Sequence, residues 1–189
     1  MIKGIINYSH HLLECCVTKG DTVIDATCGN GHDTLFLSEL VGPEGHVISF
    51  DIQQQAIVNT QKKMTEHNIH NVELVHDNHA HVANHLTAAH MNGIGGAIFN
   101  LGYLPGSDKS IITNASSTLI SLDTILGFLK PKGVIVLVVY YGHDGGRSEK
   151  DALLKHVIQL DQKKYNVLKY GFINQKNNPP FIIAVQRKS

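Results

Sequence analysis

The chain has 189 residues, no net formal charge and a charged fraction of 17%. This length fits one domain with a substantial hydrophobic core, so we expect residues 1–189 to form a single domain. A neutral chain lacks the broad cationic surface that many nucleic-acid binders carry, which argues against non-specific DNA binding. A local patch for a small structured RNA remains compatible with this composition.

Helices and strands alternate along the chain. Residues 5–18 have a helical pattern, and a first strand is expected at 22–26. Further helices are expected at 32–41, 54–67, 79–90, around 119–129 and at 148–162, and further strands at 46–51, 72–76, 97–101, 134–140, 165–173 and 181–186.

The last strands indicate the kind of sheet. Residues 134–140 form a near-continuous apolar run, typical of a central parallel strand that is buried on both faces. Only residues 175–180 separate the final two strands, which is too short for a parallel crossover, so we expect an antiparallel pair. The chain is therefore predicted to have a Rossmann-like α/β fold, with a seven-stranded, mostly parallel sheet and an antiparallel C-terminal hairpin.

The N-terminal sequence and the cysteines both favour a cytoplasmic protein. The N-terminus lacks a basic segment followed by an apolar core, and no apolar run reaches membrane-spanning length. Cys15 and Cys16 are adjacent and Cys28 stands alone, so their spacing fits free thiols better than a metal site. We expect a cytoplasmic protein that does not bind membranes.

A loop with two glycines joins the first strand to the next helix. Asp25 ends the strand, and Gly29 and Gly31 lie in the loop. Glycines let the backbone approach a ligand closely, and the helix start presents unpaired N–H groups. About 20 residues further on, the second strand ends in Asp51, whose carboxylate can accept hydrogen bonds from both ribose hydroxyls. The two strand ends predict a nucleoside site, although a plain tight turn would explain the glycines alone.

The residues around the loop favour one class of cofactor. A dinucleotide fingerprint would have a third glycine where this chain has Thr34, and the Asp25 carboxylate would repel a pyrophosphate. That carboxylate suits the cationic amino-acid end of S-adenosylmethionine. The pattern D-x-x-x-G-x-G is similar to the first motif of class I methyltransferases, except that Thr27 stands where many members have a glycine. The residues that we expect to bind the cofactor are Asp25, Thr27, Gly29, Asn30, Gly31, Asp33, Thr34, Asp51, Gln53, Asp77, Asn78, His79 and Asn100.

Polar residues also follow the third strand. A side chain among Asp77, Asn78 and His79 could meet the amino group of adenine, although Asn78 is equally suited to cap a helix. The histidines at 76, 79, 81, 85 and 90 lie close together, but no cysteine or carboxylate set completes a metal-ligand spacing. We expect no metal.

The fourth strand ends in Asn100-Leu101-Gly102-Tyr103. This segment keeps the first and last residues of the N-P-P-Y motif of amine methyltransferases. The side-chain carbonyl of Asn100 can accept a hydrogen bond from an amine, and the Tyr103 ring can stack on a base. The alternative is a Gly-Pro turn with a buried tyrosine.

Two later loops supply candidates for substrate contact. An alkylamine acceptor must lose a proton before it attacks, and His143 has a suitable ordinary pKa for a base; contacting phosphate or capping a turn is the alternative. Tyr141 lies two residues before it. Asn174 and Asn178 flank the final hairpin loop, where they could read a uridine edge or shape its pocket.

Four longer segments carry a specific resemblance: residues 25–34, 99–110, 170–175 and 178–181 are similar to the YtqB-like (MnmM) family of class I S-adenosylmethionine-dependent methyltransferases, long labelled rRNA methylases. The resemblance implies methylation of the 5-aminomethyl group of 5-aminomethyl-2-thiouridine at the tRNA wobble position, giving 5-methylaminomethyl-2-thiouridine. It also implies the tRNA anticodon stem-loop as partner.

Several alternatives stay open at this point. The chain could methylate rRNA or a small molecule, or it could be a non-catalytic nucleoside-binding module or an NAD-dependent reductase. Asp25 and Thr34 count against the reductase, and the Asn100–Tyr103 motif counts against a purely binding role. RNA contacts are expected from Lys109, Arg147, Lys150 and the lysines of the C-terminal third. A homodimer would double that contact surface.

Overall fold

A seven-stranded sheet lies at the centre of the computed structural model, which describes residues 1–91, 93–102, 113–142 and 145–189. The strands are β1 (Thr22–Asp25), β2 (His46–Asp51), β3 (Val72–His76), β4 (Ile94–Leu101), β5 (Leu129–Val139), β6 (Tyr165–Tyr170) and β7 (Phe181–Arg187). The helices are α1 (Ile5–Glu14), α2 (His32–Val41), α3 (Gln54–Glu66), α4 (Ala115–Phe128) and α5 (Gly146–Val157).

The strand order is β3-β2-β1-β4-β5-β7-β6. The first five strands pair in parallel, whereas β7 is antiparallel to both β5 and β6. The short β6–β7 connection enforces the antiparallel pairing, as the sequence indicated. The predicted fold is confirmed, including the seven strands and the C-terminal hairpin.

The core occupies both faces of the sheet. Side chains of β5 alternate, so that Ile135 and Leu137 pack with α4 and α5 on one face. Val134 and Val136 pack on the other face, where they meet Leu13 of α1. The expectation of a strand buried on both faces is confirmed, but one of its two neighbours is antiparallel.

The histidine-rich segment differs from its predicted form. The single helix expected at 79–90 is instead two short 3₁₀ helices, His79–His85 and Ala88–His90. Leu86 is extended and 7% exposed, so its burial draws the chain out of helical geometry. Thr87 then caps the second turn through a reciprocal pair of contacts with His90.

Other element ends shift by a few residues. Helix α1 ends at Glu14 rather than at residue 18, and β6 ends at Tyr170 rather than at 173. Strand β4 begins at Ile94, where it pairs with Leu129, so Leu129 opens a strand instead of closing a helix. Pairing between distant strands decides the bounds of β4, β5 and β6, and local patterns do not report that pairing.

Two further features follow from the described part of the chain. None of its helices is long and apolar enough to cross a membrane. Cys15, Cys16 and Cys28 are all free thiols. Tyr103, Lys109 and His143, which the sequence singled out, lie outside the described residues.

The loop after β1 requires a glycine at its last position. Gly31 has a φ of 73°, in the left-handed region that side chains rarely adopt. A Cβ atom there would also lie 3.0 Å from Thr60 of α3. Both backbone and packing therefore select glycine.

We expect Gly31→Ala to lower the free energy of unfolding by about 1–3 kcal/mol, because the left-handed conformation becomes strained. Gly127→Ala is the matched control. Gly127 lies inside α4, and a Cβ atom there would have nothing within 4 Å. The control should raise stability by about 0.5–1 kcal/mol. Denaturant unfolding measures both, and equal effects of the two substitutions would contradict the argument.

Candidate active site

A cavity of about 870 Å³ opens where the carboxyl ends of the parallel strands meet. Open α/β sheets bind ligands at this edge. The predicted site residues that line it are Thr27, Gly29, Asn30, Asp33, Asp51, Gln53, Asn78, His79, Asn100, Tyr141 and Asn178. Residues that the sequence analysis did not select also line it: Ile6, Ala26, Cys28, His32, Ile52, Gly102, Thr113, Asn114, Ser117, Tyr140 and Gly142.

The Asp51 carboxylate forms part of the wall and holds the backbone of the two loops that follow β1 and β2. Its Oδ2 accepts a hydrogen bond from the Gly29 backbone N–H at 3.0 Å, and its Oδ1 accepts one from the Gln53 N–H at 2.9 Å. Burial raises the pKa of Asp51 above its ordinary value, and these hydrogen bonds partly offset the rise. Each oxygen keeps a second lone pair for a ligand hydroxyl.

Asp25 lies beneath the loop and does not line the cavity. Its side chain is fully buried, where Oδ2 accepts a hydrogen bond from the Thr34 hydroxyl at 2.6 Å and Oδ1 accepts one from the Thr27 N–H at 3.2 Å. Burial raises the pKa of Asp25 to about 7, and the charge of Asp33 contributes to the rise. Asp25 and Thr34 therefore stabilise the loop from below.

Asp33 connects the loop helix to two other elements. Its Oδ1 lies 2.5 Å from Nε2 of His10 in α1, and its Oδ2 accepts a hydrogen bond from the side-chain amide nitrogen of Asn100 in β4. The Asn100 backbone N–H donates to the Thr27 hydroxyl at 2.7 Å. Because the Asn100 nitrogen is engaged, its side-chain oxygen is the atom left to accept a hydrogen bond in the cavity.

His10 was missed by the sequence analysis. Its ring stacks on Phe36 with centroids 3.8 Å apart and planes at 4°. His10 lies on α1 and Asp33 on α2, so their contact results from packing 23 residues apart. No local sequence pattern could have indicated it.

His79 is a buried neutral side chain in the cavity wall. Its Nδ1 lies 3.1 Å from the Ala26 carbonyl oxygen, so Nδ1 carries the proton and Nε2 is an acceptor. Within the described residues, the buried Nε2 has no hydrogen-bond partner. Burial lowers the pKa of His79 to about 4. The site thus holds an acceptor that a donor group on a ligand could satisfy.

The residues next to His79 divide between the cavity and the surface. Asn78 lines the cavity, and its side chain also accepts a hydrogen bond from the Ala80 N–H at 2.9 Å, so it is a cap as well. Asp77 does not line the cavity and pairs with His81 at 2.9 Å. That contact lowers the pKa of Asp77. In the described ranges, no group of three or more histidine, cysteine, aspartate or glutamate residues could hold a metal ion.

A buried glutamate fixes the start of α4 against the cavity. Glu149 of α5 accepts hydrogen bonds from the hydroxyls of Thr113 at 3.0 Å and Thr118 at 3.2 Å. Asn114 caps α4 by accepting from the Ser117 N–H at 3.0 Å. An asparagine before an apolar helix is a recognisable cap signal, so Asn114 could have been found from sequence.

The far wall comes from the end of β5 and the last hairpin. Tyr140 and Tyr141 follow β5, and the Tyr141 ring meets Phe181 edge-on at 5.8 Å. Asn178 lines the cavity in a left-handed conformation with a φ of 53°. Asn174 is exposed and lies off the lining.

Comparison with known proteins identifies the family. The family model described as "Putative rRNA methylase" matches residues 47–186, which is most of the chain. The chain belongs to this family. The family predicted from the sequence motifs is confirmed, and so is the prediction of a methyltransferase. Residues 5–82 also match the model of protein-L-isoaspartate(D-aspartate) O-methyltransferase.

Relatives of this chain include a named enzyme and solved structures. The chloroplastic tRNA (mnm(5)s(2)U34)-methyltransferase of Arabidopsis thaliana is 35% identical, over 99% of this chain and 71% of that protein. The crystal structure of a "putative rRNA-methylase" from Clostridium thermocellum is 41% identical, with 99% of each chain covered and a TM-score of 0.94. A "putative methyltransferase" from Streptococcus mutans, in complex with SAH, is 41% identical over 99% of each chain, with a TM-score of 0.90.

The buried His79 predicts a pH effect on stability. Its pKa is about 4 when folded and about 6.5 when unfolded. Between these values the unfolded state binds the extra proton, so the contribution is present above pH 6.5 and is lost as pH falls towards 4. We expect His79→Gln to remove about 2 kcal/mol of the stability loss between pH 7 and pH 5.

Denaturant unfolding at the two pH values checks this. Glutamine keeps a donor for the Ala26 carbonyl but has no charge to gain. Asp25 acts in the opposite sense, because a raised pKa makes stability fall as pH rises, and it is common to both proteins. An identical pH dependence of wild type and variant would show that His79 titrates normally.

Proposed function

We propose that this protein transfers a methyl group from S-adenosylmethionine to the 5-aminomethyl group of 5-aminomethyl-2-thiouridine at the wobble position of tRNA, giving 5-methylaminomethyl-2-thiouridine. The observation that carries the proposal is the hydrogen-bonded pair of Asp33 and Asn100. The pair leaves the side-chain oxygen of Asn100 free to accept a hydrogen bond, in the same cavity as Asp51, the carboxylate suited to ribose hydroxyls. The relative from Arabidopsis thaliana, a tRNA (mnm(5)s(2)U34)-methyltransferase, supports this substrate.

The residues present fit S-adenosylmethionine. The Asp51 carboxylate would accept hydrogen bonds from the ribose hydroxyls, and the Gly29–Gly31 loop brings backbone close to the ligand. His79 Nε2, a buried acceptor without a described partner, suits an amino-group donor. The carboxylates of Asp33 and Asp51, which line the cavity, favour a cation over a pyrophosphate. When bound, the cofactor supplies an electrophilic methyl group on a sulfonium centre.

The chain's own residues would position the acceptor amine. The Asn100 side-chain oxygen accepts a hydrogen bond from the amine and so directs its lone pair. Asp33 holds Asn100 in that orientation, and His10 holds Asp33 from the other side. The amine must also lose a proton, and we propose His143 as the base and Tyr103 as the ring that stacks on the target uridine.

The remaining features of the proposal concern assembly. We propose that residues 1–189 form a single domain, that the anticodon stem-loop is the part of the tRNA that is bound, and that a homodimer enlarges the contact surface. We also propose a cytoplasmic location, in keeping with the three free thiols.

Substrate selection tests the proposal directly. Purified protein with S-adenosylmethionine should methylate tRNA that carries 5-aminomethyl-2-thiouridine and leave an unmodified transcript untouched, because an unmodified uridine offers no amine at that position. Nucleoside mass spectrometry measures the product. Equal incorporation into unmodified tRNA, or incorporation into rRNA alone, would refute the proposed substrate.

Asn100 separates positioning from binding. We expect Asn100→Ala to lower kcat roughly 10- to 100-fold, because misplaced reactants lose much of their rate. kcat/KM should fall with it, and affinity for S-adenosylmethionine should stay within about twofold, since the contact is made to the acceptor. Full turnover in a folded Asn100→Ala protein would make this strand end a purely structural turn.

His10→Gln provides the companion measurement. Glutamine can still donate to Asp33, so it should retain more turnover than His10→Ala, which leaves the Asp33 carboxylate without that partner. Single-turnover rates and cofactor affinity on the same samples distinguish lost positioning from lost cofactor binding.

A further inference from the structure

The neutral net charge conceals two oppositely charged parts of the chain. Residues 146–189 contain nine lysines and arginines and three acidic residues, a net charge of +6. Residues 1–145 contain seven basic and thirteen acidic residues, a net charge of −6. The acidic part includes Asp25 and Asp51 at strand ends and Asp33 at the start of α2, whereas the basic part forms α5, β6 and β7. Polyanion binding would therefore be confined to the C-terminal elements.

A row of rings and ammonium groups leads from the cavity into this basic part. Tyr141 lines the cavity, and the Lys150 Nζ lies 5.1 Å from the centroid of its ring. Phe181 meets Tyr141 edge-on, and the Lys169 Nζ lies 4.8 Å from the Phe181 centroid. Cation–π contacts hold the Lys150 ammonium group beside the cavity wall and the Lys169 ammonium group one ring further away.

Beyond Lys169 lies a second concavity, which we call the basic groove. It has a volume of about 750 Å³ and is lined by the end of α5, strand β6 and the segment between them. Lys163, Lys169 and Lys188 line it, together with apolar side chains such as Leu154 and Leu168, and no lining residue is acidic. Lys169 therefore belongs to both the basic groove and the row from the cavity.

The charges of the basic groove are largely uncompensated. Over the described ranges, neither Lys163 nor Lys169 forms an ion pair, whereas Lys150 pairs with Asp151 at 3.1 Å. The Lys188 ammonium donates to the Gln162 carbonyl at 2.7 Å, which orients it without neutralising it. Unpaired lysines along a groove with apolar walls complement a polyanion whose sugars also contact protein.

We propose that the basic groove binds the phosphodiester backbone of the RNA whose target nucleotide enters the cavity. This inference rests on the proposed function. The nucleotide occupies the cavity beside Tyr141, and the flanking backbone runs past Lys150 and Lys169 towards Lys163 and Lys188. Phosphate contacts of this kind set the register of the RNA without reading its sequence.

The test compares two double variants. Lys163→Gln/Lys169→Gln removes two charges from the basic groove, and Lys19→Gln/Lys62→Gln removes two exposed charges from the acidic part as a control. Equilibrium binding of a synthetic anticodon stem-loop is measured over a range of salt concentrations. We expect the groove variant to bind on the order of tenfold more weakly at moderate salt, and its salt slope to fall by about 1 per lysine.

Kinetics and folding complete the design. The groove variant should raise KM for tRNA, with kcat and affinity for S-adenosylmethionine unchanged, and the control should behave as wild type. Lys163→Arg/Lys169→Arg keeps both charges and should retain RNA affinity. This variant distinguishes an effect of the lost charges from an effect of misfolding.

Each result decides the question. If the groove variant binds RNA with the affinity and salt slope of the wild type, the inference is overturned, even if the enzyme methylates tRNA. A groove that binds a protein partner instead would give this result. Equal losses in groove and control variants would overturn it too, and so would wild-type protein that binds no RNA. Wild-type protein that binds through the groove but does not methylate the modified tRNA would support the groove and refute the proposed substrate.

Discussion

The loop that forms one wall of the cavity is held in place by Asp25, whose side chain does not line the cavity. Asp25 is fully buried under the loop after β1, where it accepts hydrogen bonds from Thr34 and the Thr27 backbone. These contacts join the end of β1 to the first turn of α2, so the loop and helix keep a fixed position. Removing a carboxylate from water is costly, and its raised pKa reflects that cost.

Three carboxylates converge at this edge of the sheet. Asp33 and Asp51 line the cavity that Asp25 underlies, and the charges of both raise the pKa of Asp25. Such an arrangement is electrostatically unfavourable by itself, and a cationic ligand relieves it whereas a pyrophosphate worsens it. The cavity therefore favours a positively charged ligand.

The Asp33–Asn100 part of the cavity is assembled from distant parts of the chain. Asp33 of α2 receives His10 from α1 and Asn100 from β4, and a buried Glu149 anchors the start of α4 on the opposite side. The antiparallel insertion of β7 beside β5 brings Asn178 to the same cavity and places the basic elements next to it. The order of strands in the sheet thus separates the acidic residues at the cavity from the basic C-terminal elements, where we propose that RNA binds.

Much of this arrangement follows from local sequence. Apolar periodicity predicts the strands, and the rule that parallel strands end at one edge places Asp51, Asn78 and Asn100 at a common site. Glycine at position 31 and asparagine at 114 are likewise explained by backbone requirements that single positions report. These features depend on interactions between neighbours in sequence or on general rules of sheet geometry.

Tertiary structure decided the direction of side chains and the partners that they meet. Asp25 was expected among the cofactor contacts, yet its side chain lies under the loop, because the helix that follows brings the Thr34 hydroxyl beneath it. His10 and Glu149 gave no signal, since their roles arise only when separate helices pack. Residues 79–90 formed two 3₁₀ turns because burial of Leu86 outweighed helix propensity. Sequence alone specified which strand ends would meet, whereas long-range packing determined which atoms face the cavity.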